Sequence, residues 1–108
     1  MTVYVDDMYR HPMGEFRGMK MSHLIADTDA ELHEMASRIG VLRKWFQGDH
    51  YDVAQSKRAF AIRLGALPIT LRQCGLMCGI RRRTGTLGDP ETCHDVYRAL
   101  IAKTECSA

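Results

Sequence analysis

The sequence predicts an α/β fold with a small, largely parallel sheet of three to four strands, flanked by about four helices. Residues 2–6 alternate apolar and polar side chains, which is the period of a strand, and residues 28–39 repeat apolar side chains with the period of a helix. Helical patterns separate most of the successive strand patterns. Because a helix between two strands usually serves as a crossover connection, this order favours parallel strands.

The predicted strands are short. The first covers residues 2–6, and a loop rich in glycine, proline and methionine separates it from the second, residues 19–26, whose apolar end is typical of a central strand. Residues 41–46 predict a short third strand, which two cations mark as an edge strand. Residues 66–70 predict the last strand.

The first helix has clear signals at both ends. Thr28 and Glu31 form a capping box, in which each side chain satisfies the free backbone N–H of the other residue. Gly40 is expected to end the helix in the left-handed conformation.

Three further helices are predicted. Asp52 is expected to cap the second, over residues 52–64. The third covers residues 70–81. The fourth covers residues 90–103 and starts with the pair Asp-Pro, a cap followed by proline at the first helical position.

Length and composition predict a single domain over residues 1–108, because 45% of the residues are apolar and 26% are charged. No apolar run approaches the about 20 residues that cross a membrane. Residues 1–7 lack the basic and apolar regions of a secretion signal. We therefore expect a cytoplasmic protein with no membrane partner, and the oligomeric state stays open.

The cysteines do not favour a zinc site. Cys74, Cys78, Cys93 and His94 supply four potential ligands, but their spacing lacks the Cys-x-x-Cys pair of common closed sites. Cys74 and Cys78 lie one helical turn apart, where a free thiol packs as a small hydrophobe. With the fourth cysteine, Cys106, they are expected to stay reduced in a cytosol.

The net charge of +2 conceals an uneven distribution. The balance of charged residues is −3 over residues 1–54 and +5 over residues 55–108. A phosphate-bearing partner suits this division, because the acidic half could hold a cation and the basic half could bind the phosphate. The alternative is that the cations only keep the surface soluble.

Three carboxylates are candidate metal ligands. Asp6 and Asp7 end the first predicted strand and Asp27 ends the second, and neighbouring parallel strands would bring these ends to one edge of the sheet. Mg²⁺ and Mn²⁺ prefer such oxygen ligands, so the pattern predicts one of these ions, which could activate water for phosphodiester cleavage. The alternative is a pair of solvated turns, where aspartate is common.

A run of eleven residues leading into the second predicted helix concentrates groups that could move a proton or bind a phosphate. His50 is the candidate general acid or base, since its charge changes near neutral pH, and Asp49 is its expected partner. Lys57 is a third candidate catalytic group, because it falls on the apolar stripe of the helix. Ser56, Lys57 and Arg58 are expected to bind phosphate near the helix N-terminus. The alternative is a polar loop with a helix cap.

His23 lies between apolar residues of the second predicted strand, and we interpret it as a core residue bonded to a backbone carbonyl. A functional pair with Asp27 would require a sharp turn of the chain, because four residues of a strand span about 13 Å.

Arg81, Arg82 and Arg83 close the third predicted helix and are candidates for binding nucleic acid or another partner. The alternative is that the helix dipole favours cations at this end. An aromatic content of 7% gives little support for a platform that stacks single-stranded bases.

Several stretches together resemble a family of small bacterial and phage proteins that is described only as a domain of unknown function, of the 4031 type. The stretches are residues 3–7 (VYVDD), 22–27 (SHLIAD), 49–52 (DHYD), 56–59 (SKRA) and 65–66 (GA). The resemblance covers roughly residues 2–73 and implies a bacterial or phage origin. It implies no activity, substrate or cofactor.

The sequence thus predicts a phosphate-directed protein that acts on nucleic acid or nucleotides, through metal-dependent phosphodiester hydrolysis. The alternative is an adaptor without catalysis that binds nucleic acid or a host protein. The prediction of an enzyme requires that the first strand and the start of the second helix face a common cleft.

Overall fold

The computed structural model describes the backbone of residues 2–107 and the side chains of residues 2–103. The chain divides into two compact units, Met1–Leu71 and Arg72–Ala108, and each is described by itself. Among the described residues, no helix has the length and the apolar surface needed to cross a membrane.

The first unit contains a five-stranded sheet that is mostly antiparallel. β3 pairs antiparallel with β1, β2 and β4, and β1 pairs parallel with β5. The prediction of a largely parallel sheet is therefore wrong. The strands are β1 (Val3–Val5), β2 (Glu15–Phe16), β3 (Met19–Ala26), β4 (Tyr51–Ala54) and β5 (Leu67–Pro68).

The connections explain the strand directions. Only short 3-10 turns and the β2–β3 hairpin lie between β1 and β3, so the chain reverses without a crossover helix. Helix α1 (Asp29–Arg38) carries the chain back along the sheet, but residues 39–50 return it, and β4 begins with Tyr51 opposite Leu24. Helix α2 (Gln55–Arg63) does link two strands of the same direction, β4 and β5.

The ends of α1 confirm Thr28 as the cap and Gly40 as the stop, but the Glu31 carboxylate accepts from the Thr28 hydroxyl at 2.8 Å and not, as predicted, from the Thr28 backbone N–H. The Thr28 hydroxyl accepts a hydrogen bond from the backbone N–H of Glu31 at 3.2 Å, and Gly40 has a φ of +80°.

The predicted start of the second helix is wrong. Asp52 lies in β4 and does not cap α2, whose N-cap residue is Ala54 and has no side-chain cap. The alternation of Tyr51 and Val53, both buried, with half-buried neighbours gives residues 51–54 the period of a strand. The strand predicted over residues 41–46 is also wrong, because a 3-10 turn occupies Arg43–Trp45.

The main apolar cluster lies on one face of the sheet, and Tyr4 and Ile25 are buried on the other. Val5, Leu24 and Val53 project from three strands toward α1 and α2, where Leu32 and Ala61 are fully buried. Because side chains alternate along a strand, the residues next to these three point to the opposite face.

The second unit is built from α3 (Leu71–Thr84) and α4 (Cys93–Ser107). Gly79 allows their close packing, since a Cβ atom there would lie 2.7 Å from the ring of Tyr97. Cys74, Cys78 and Cys93 are buried and form no disulfide among the described residues, and the side chain of Cys106 lies outside these residues.

Candidate functional site

The register of the antiparallel sheet aligns three polar residues on the face opposite the core. The backbone N–H of Asp6, just after β1, donates to the carbonyl of His23 at 3.0 Å. His23 on β3 pairs directly with Asp52 on β4. Directly opposite residues of neighbouring strands have Cβ atoms about 4.5–5.5 Å apart, so the three side chains form a row across the sheet.

Asp6 fixes the imidazole of His23. The Asp6 carboxylate is fully buried, and its Oδ1 accepts hydrogen bonds from the backbone N–H groups of Met8, at 3.1 Å, and His23, at 2.8 Å. The other oxygen, Oδ2, accepts a hydrogen bond from Nδ1 of His23 at 2.7 Å. Since a carboxylate can only accept, the proton of a neutral His23 lies on Nδ1, and the free lone pair lies on Nε2.

Asp49 fixes the imidazole of His50 in the same way. Nδ1 of His50 donates to Oδ1 of Asp49 at 2.6 Å, which leaves Nε2 of His50 as the second free imidazole nitrogen. His50 lies two residues before Asp52, and its ring meets the His23 ring edge to face with centroids 5.0 Å apart.

Asp52 completes the cluster. One oxygen, Oδ2, accepts a hydrogen bond from the side-chain amide of Gln47 at 2.9 Å. The other, Oδ1, is buried and receives no hydrogen bond from any described residue. It lies 3.4 Å from Nε2 of His50 and 3.9 Å from Nε2 of His23. A buried carboxylate oxygen needs a positive charge or a donor nearby, which a protonated His50 supplies in the metal-free protein and a bound cation would supply in its place.

The charges of the cluster are strongly coupled. The neighbouring Asp52 carboxylate, assisted by Asp49 and opposed by burial, raises the pKa of His50 to about 9. The hydrogen bond that His23 donates to Asp6 raises the pKa of His23, and the interaction with His50 lowers the pKa of Asp52. Without a metal ion, a protonated His50 therefore faces the Asp52 carboxylate near neutral pH, and a bound metal ion would replace that proton.

The arrangement has the features of a metal centre with three protein ligands. The free atoms of His23, His50 and Asp52 all lie within 4.8 Å of one another. Metal-binding histidines usually donate their second ring nitrogen to a carboxylate, as both histidines do here. The side chains are between 22% and 34% exposed, while the Oδ1 atom of Asp52 is itself buried. Three protein ligands with an open position are typical of catalytic centres.

The structure separates the three carboxylates predicted as metal ligands. Asp6 accepts a hydrogen bond from Nδ1 of His23, the ring nitrogen that faces away from Asp52. The Asp7 carboxylate accepts a hydrogen bond from the backbone N–H of Leu71 at 2.7 Å, and the Asp27 carboxylate accepts one from Thr2 at 3.1 Å. Neither Asp7 nor Asp27 belongs to the cluster.

The residues predicted to bind phosphate lie on α2. Nε of Arg58 donates to the backbone carbonyl of Asp6 at 2.8 Å, and the guanidinium lies 4.8 Å from the ring centroid of Tyr9. Lys57 is half-buried, and its ammonium is the nearest group to Gly40, 3.1 Å from the position that a Cβ atom would take. Ser56 is exposed.

Arg81, Arg82 and Arg83 belong to the second unit and form the last turn of α3. The guanidinium of Arg83 lies 5.7 Å from the ring centroid of Tyr97. The helix C-terminus accounts for the cations there, through the helix dipole.

The sequence interpretation missed two of the three potential ligands. His23 was expected in the core, but it shares the period of Met21 and Ile25 and is out of phase with the core residue Leu24. Asp52 was expected at a helix N-terminus. The available signal was the period of two along residues 50–54, which places His50 and Asp52 on one face.

Comparison with known proteins gives a family and no activity. No curated protein and no solved structure is significantly similar to the chain. A family model described as "Protein of unknown function (DUF4031)" matches residues 3–83. This match confirms the resemblance seen in the sequence, whereas a bacterial or phage origin stays a prediction. Because the match covers most of its length, the chain belongs to the DUF4031 family.

Proposed function

We propose that this protein is a metal-dependent phosphodiesterase whose ion is held by His23, His50 and Asp52. The observation that carries the proposal is the convergence of two oriented Nε2 atoms, 3.4 Å and 3.9 Å away, on one buried carboxylate oxygen of Asp52. A purely structural ion pair does not need both histidines to be backed by further carboxylates, whereas metal ligation benefits from that support.

The donor set favours a transition ion. Two imidazole nitrogens and one carboxylate oxygen suit Zn²⁺ or Mn²⁺ better than Mg²⁺, which takes mainly oxygen ligands and keeps its waters. This argument moves the proposed ion away from the three aspartates expected from the sequence, and it does not involve the cysteines.

The chemistry follows from the open face of the site. An ion held by His23, His50 and Asp52 would supply hydroxide near neutral pH by acidifying water. In diester hydrolysis the hydroxide oxygen bonds to phosphorus, the bond to one ester oxygen breaks, and the departing alkoxide takes a proton from solvent. His23, His50 and Asp52 hold their positions through the sheet and the flanking carboxylates throughout.

Arg58 supports a negatively charged substrate. Its Nε is bonded to the backbone of Asp6, next to the cluster, while its terminal nitrogens donate no hydrogen bond to any described residue. A planar guanidinium with free donors suits two oxygens of a phosphate. Lys57 makes no ion pair with any described residue and adds positive charge on the same helix.

Metal binding is the first test. Mn²⁺ and Zn²⁺ are titrated into the metal-free protein by calorimetry, with His50→Gln as the site variant and His11→Gln as the matched control at an exposed histidine. We expect one ion per chain for the native protein and for His11→Gln, and at least a 100-fold weaker Kd for His50→Gln. Equal affinity in the two variants would refute the site.

Hydrolysis is the second test. The metal-loaded protein is assayed with bis(p-nitrophenyl) phosphate, with Asp52→Asn as the inactive variant and Asp27→Asn as the control. Activity that follows metal occupancy supports the phosphodiesterase. A protein that binds one metal ion tightly but hydrolyses no phosphodiester would instead favour the adaptor function, with Arg82 and Arg83 as the exposed cations to neutralise next.

A further inference from the structure

An apolar groove adjoins the candidate metal centre. It has a volume of about 770 Å³, and Asp52 forms part of its wall. Three aromatic side chains, Phe16, Trp45 and Phe46, line it together with several methionines. The groove therefore borders the cluster at Asp52.

The aromatic side chains of the groove are unusually accessible. Trp45 is 58% exposed and Phe16 is 53% exposed, although rings of this size usually bury most of their surface. The ammonium of Lys44 lies 5.2 Å from the ring centroid of Trp45, which adds positive charge at the rim. Clustered, exposed apolar side chains on a small protein mark a binding surface.

The size of the groove selects a small molecule. Small-molecule sites occupy about 300–1,000 Å³, and a volume of this kind holds a ligand of nucleotide size but not the contact surface of a folded protein. Aromatic and methionine side chains offer flat, polarizable surfaces, on which planar rings stack well.

We propose that the groove binds the base of a nucleoside phosphate whose phosphate reaches the metal centre. The proposal rests on the proposed function, because it takes the phosphate to lie at His23, His50 and Asp52. The base stacks on Trp45 and Phe16, and the Lys44 ammonium adds positive charge beside Trp45 for a negatively charged ligand. The substrate class is thus a nucleotide or the exposed terminal nucleotide of a nucleic acid.

The tryptophan gives a direct test, since Trp45 is the only tryptophan of the chain. Its fluorescence is followed while adenosine 5′-monophosphate is added to the metal-free and then to the Mn²⁺-loaded protein, with ribose 5-phosphate as the control ligand. We expect saturable quenching by the nucleotide and none by the sugar phosphate. Equal response to both ligands would overturn the proposal.

A matched pair of variants locates the binding. Leu42 lines the groove and is 60% exposed, whereas Leu67 lies on β5, outside the groove, and is 50% exposed. Leu42→Ala should weaken nucleotide binding several-fold and Leu67→Ala should not change it. Phe16→Ala should raise the Kd roughly 5- to 150-fold, the range found when one stacking side chain is removed. Circular dichroism checks that each variant is folded.

The outcomes separate this inference from the proposed function. Nucleotide quenching without metal-dependent hydrolysis would leave the groove assignment standing and refute the phosphodiesterase. Hydrolysis of bis(p-nitrophenyl) phosphate, with no tighter binding of adenosine 5′-monophosphate than of ribose 5-phosphate, would support the phosphodiesterase and refute the groove assignment. Tighter binding of decanoate than of the nucleotide, or a dimer in sedimentation that Leu42→Ala dissociates, would assign the groove to an acyl chain or to a second copy and overturn the inference.

Discussion

Replacement of Asp6 by asparagine should disable the metal centre without unfolding the protein. Oδ1 of Asp6 already accepts two backbone N–H groups, from Met8 and His23. These donors require an oxygen at that position, so the new amide nitrogen must take the place of Oδ2 and face Nδ1 of His23. An NH₂ group donates, and Nδ1 must then accept. The proton of a neutral His23 moves to Nε2, which can no longer bind a metal ion.

The structure sets the size of the effect. To ligate a metal, His23 of the variant must keep its proton on Nδ1 against the NH₂ group, and a buried donor without an acceptor costs about 1–3 kcal/mol. This free energy corresponds to about a 5- to 150-fold rise in the Kd of the metal ion. The metal-free variant avoids the cost, because its His23 accepts from the amide, and its fold should persist.

Calorimetric titration of Zn²⁺ into metal-free Asp6→Asn measures the Kd, and urea denaturation of the same samples measures the free energy of unfolding. Asp27→Asn is the matched control, because Asp27 also accepts one backbone N–H but lies outside the cluster. The reasoning is refuted if the folded Asp6→Asn protein binds Zn²⁺ as tightly as Asp27→Asn does.

Three further results are expected from urea denaturation of the metal-free protein. The folded pKa of His50, about 9, lies above its ordinary value of 6.5, so its stabilisation is complete below pH 6.5 and is lost as the pH rises toward 9. The free energy of unfolding should fall by at most about 3 kcal/mol over this pH range. If the free energy of unfolding of His50→Gln depends on pH to the same extent, the effect does not come from His50. Tyr51→Phe removes the buried hydroxyl that lies 2.7 Å from Nδ1 of His33, and should cost about 1 kcal/mol while the Kd for Zn²⁺ stays unchanged, because Tyr51 faces the core. Thr28→Ala should cost about 1 kcal/mol and Thr28→Ser much less; similar losses in both would argue against the cap.

Local signals in the sequence predicted the local structure well. β3 occupies the predicted residues 19–26, and both ends of α1 were marked by residues with defined capping roles. The prediction of strand direction failed, because the direction of a strand depends on the path of the connection that precedes it. The segment after α1 looks like an edge strand in composition, yet it forms an irregular return that makes β4 antiparallel to β3.

The site shows the same division between local and long-range information. His50 and Asp49 are adjacent in sequence, so their pairing needed no knowledge of the fold. The meeting of Asp6, His23 and Asp52 depends on which residues of three separate strands stand opposite one another, and this register is set by tertiary packing. A correct antiparallel sheet would have revealed the row, because the residues that face away from Leu24 include all three.

The row that Asp6, His23 and Asp52 form across the sheet makes the protein intolerant of insertions and deletions in particular places. Insertion of one residue in the middle of β3 would turn the following residues over, so that a polar group would enter the space under the helices and Leu24 would leave it. The same insertion in the connection between α1 and β4 would be absorbed as extra loop. We therefore expect that homologous chains which keep these ligands differ in length between their strands and have a constant count of residues from His23 to the end of β3.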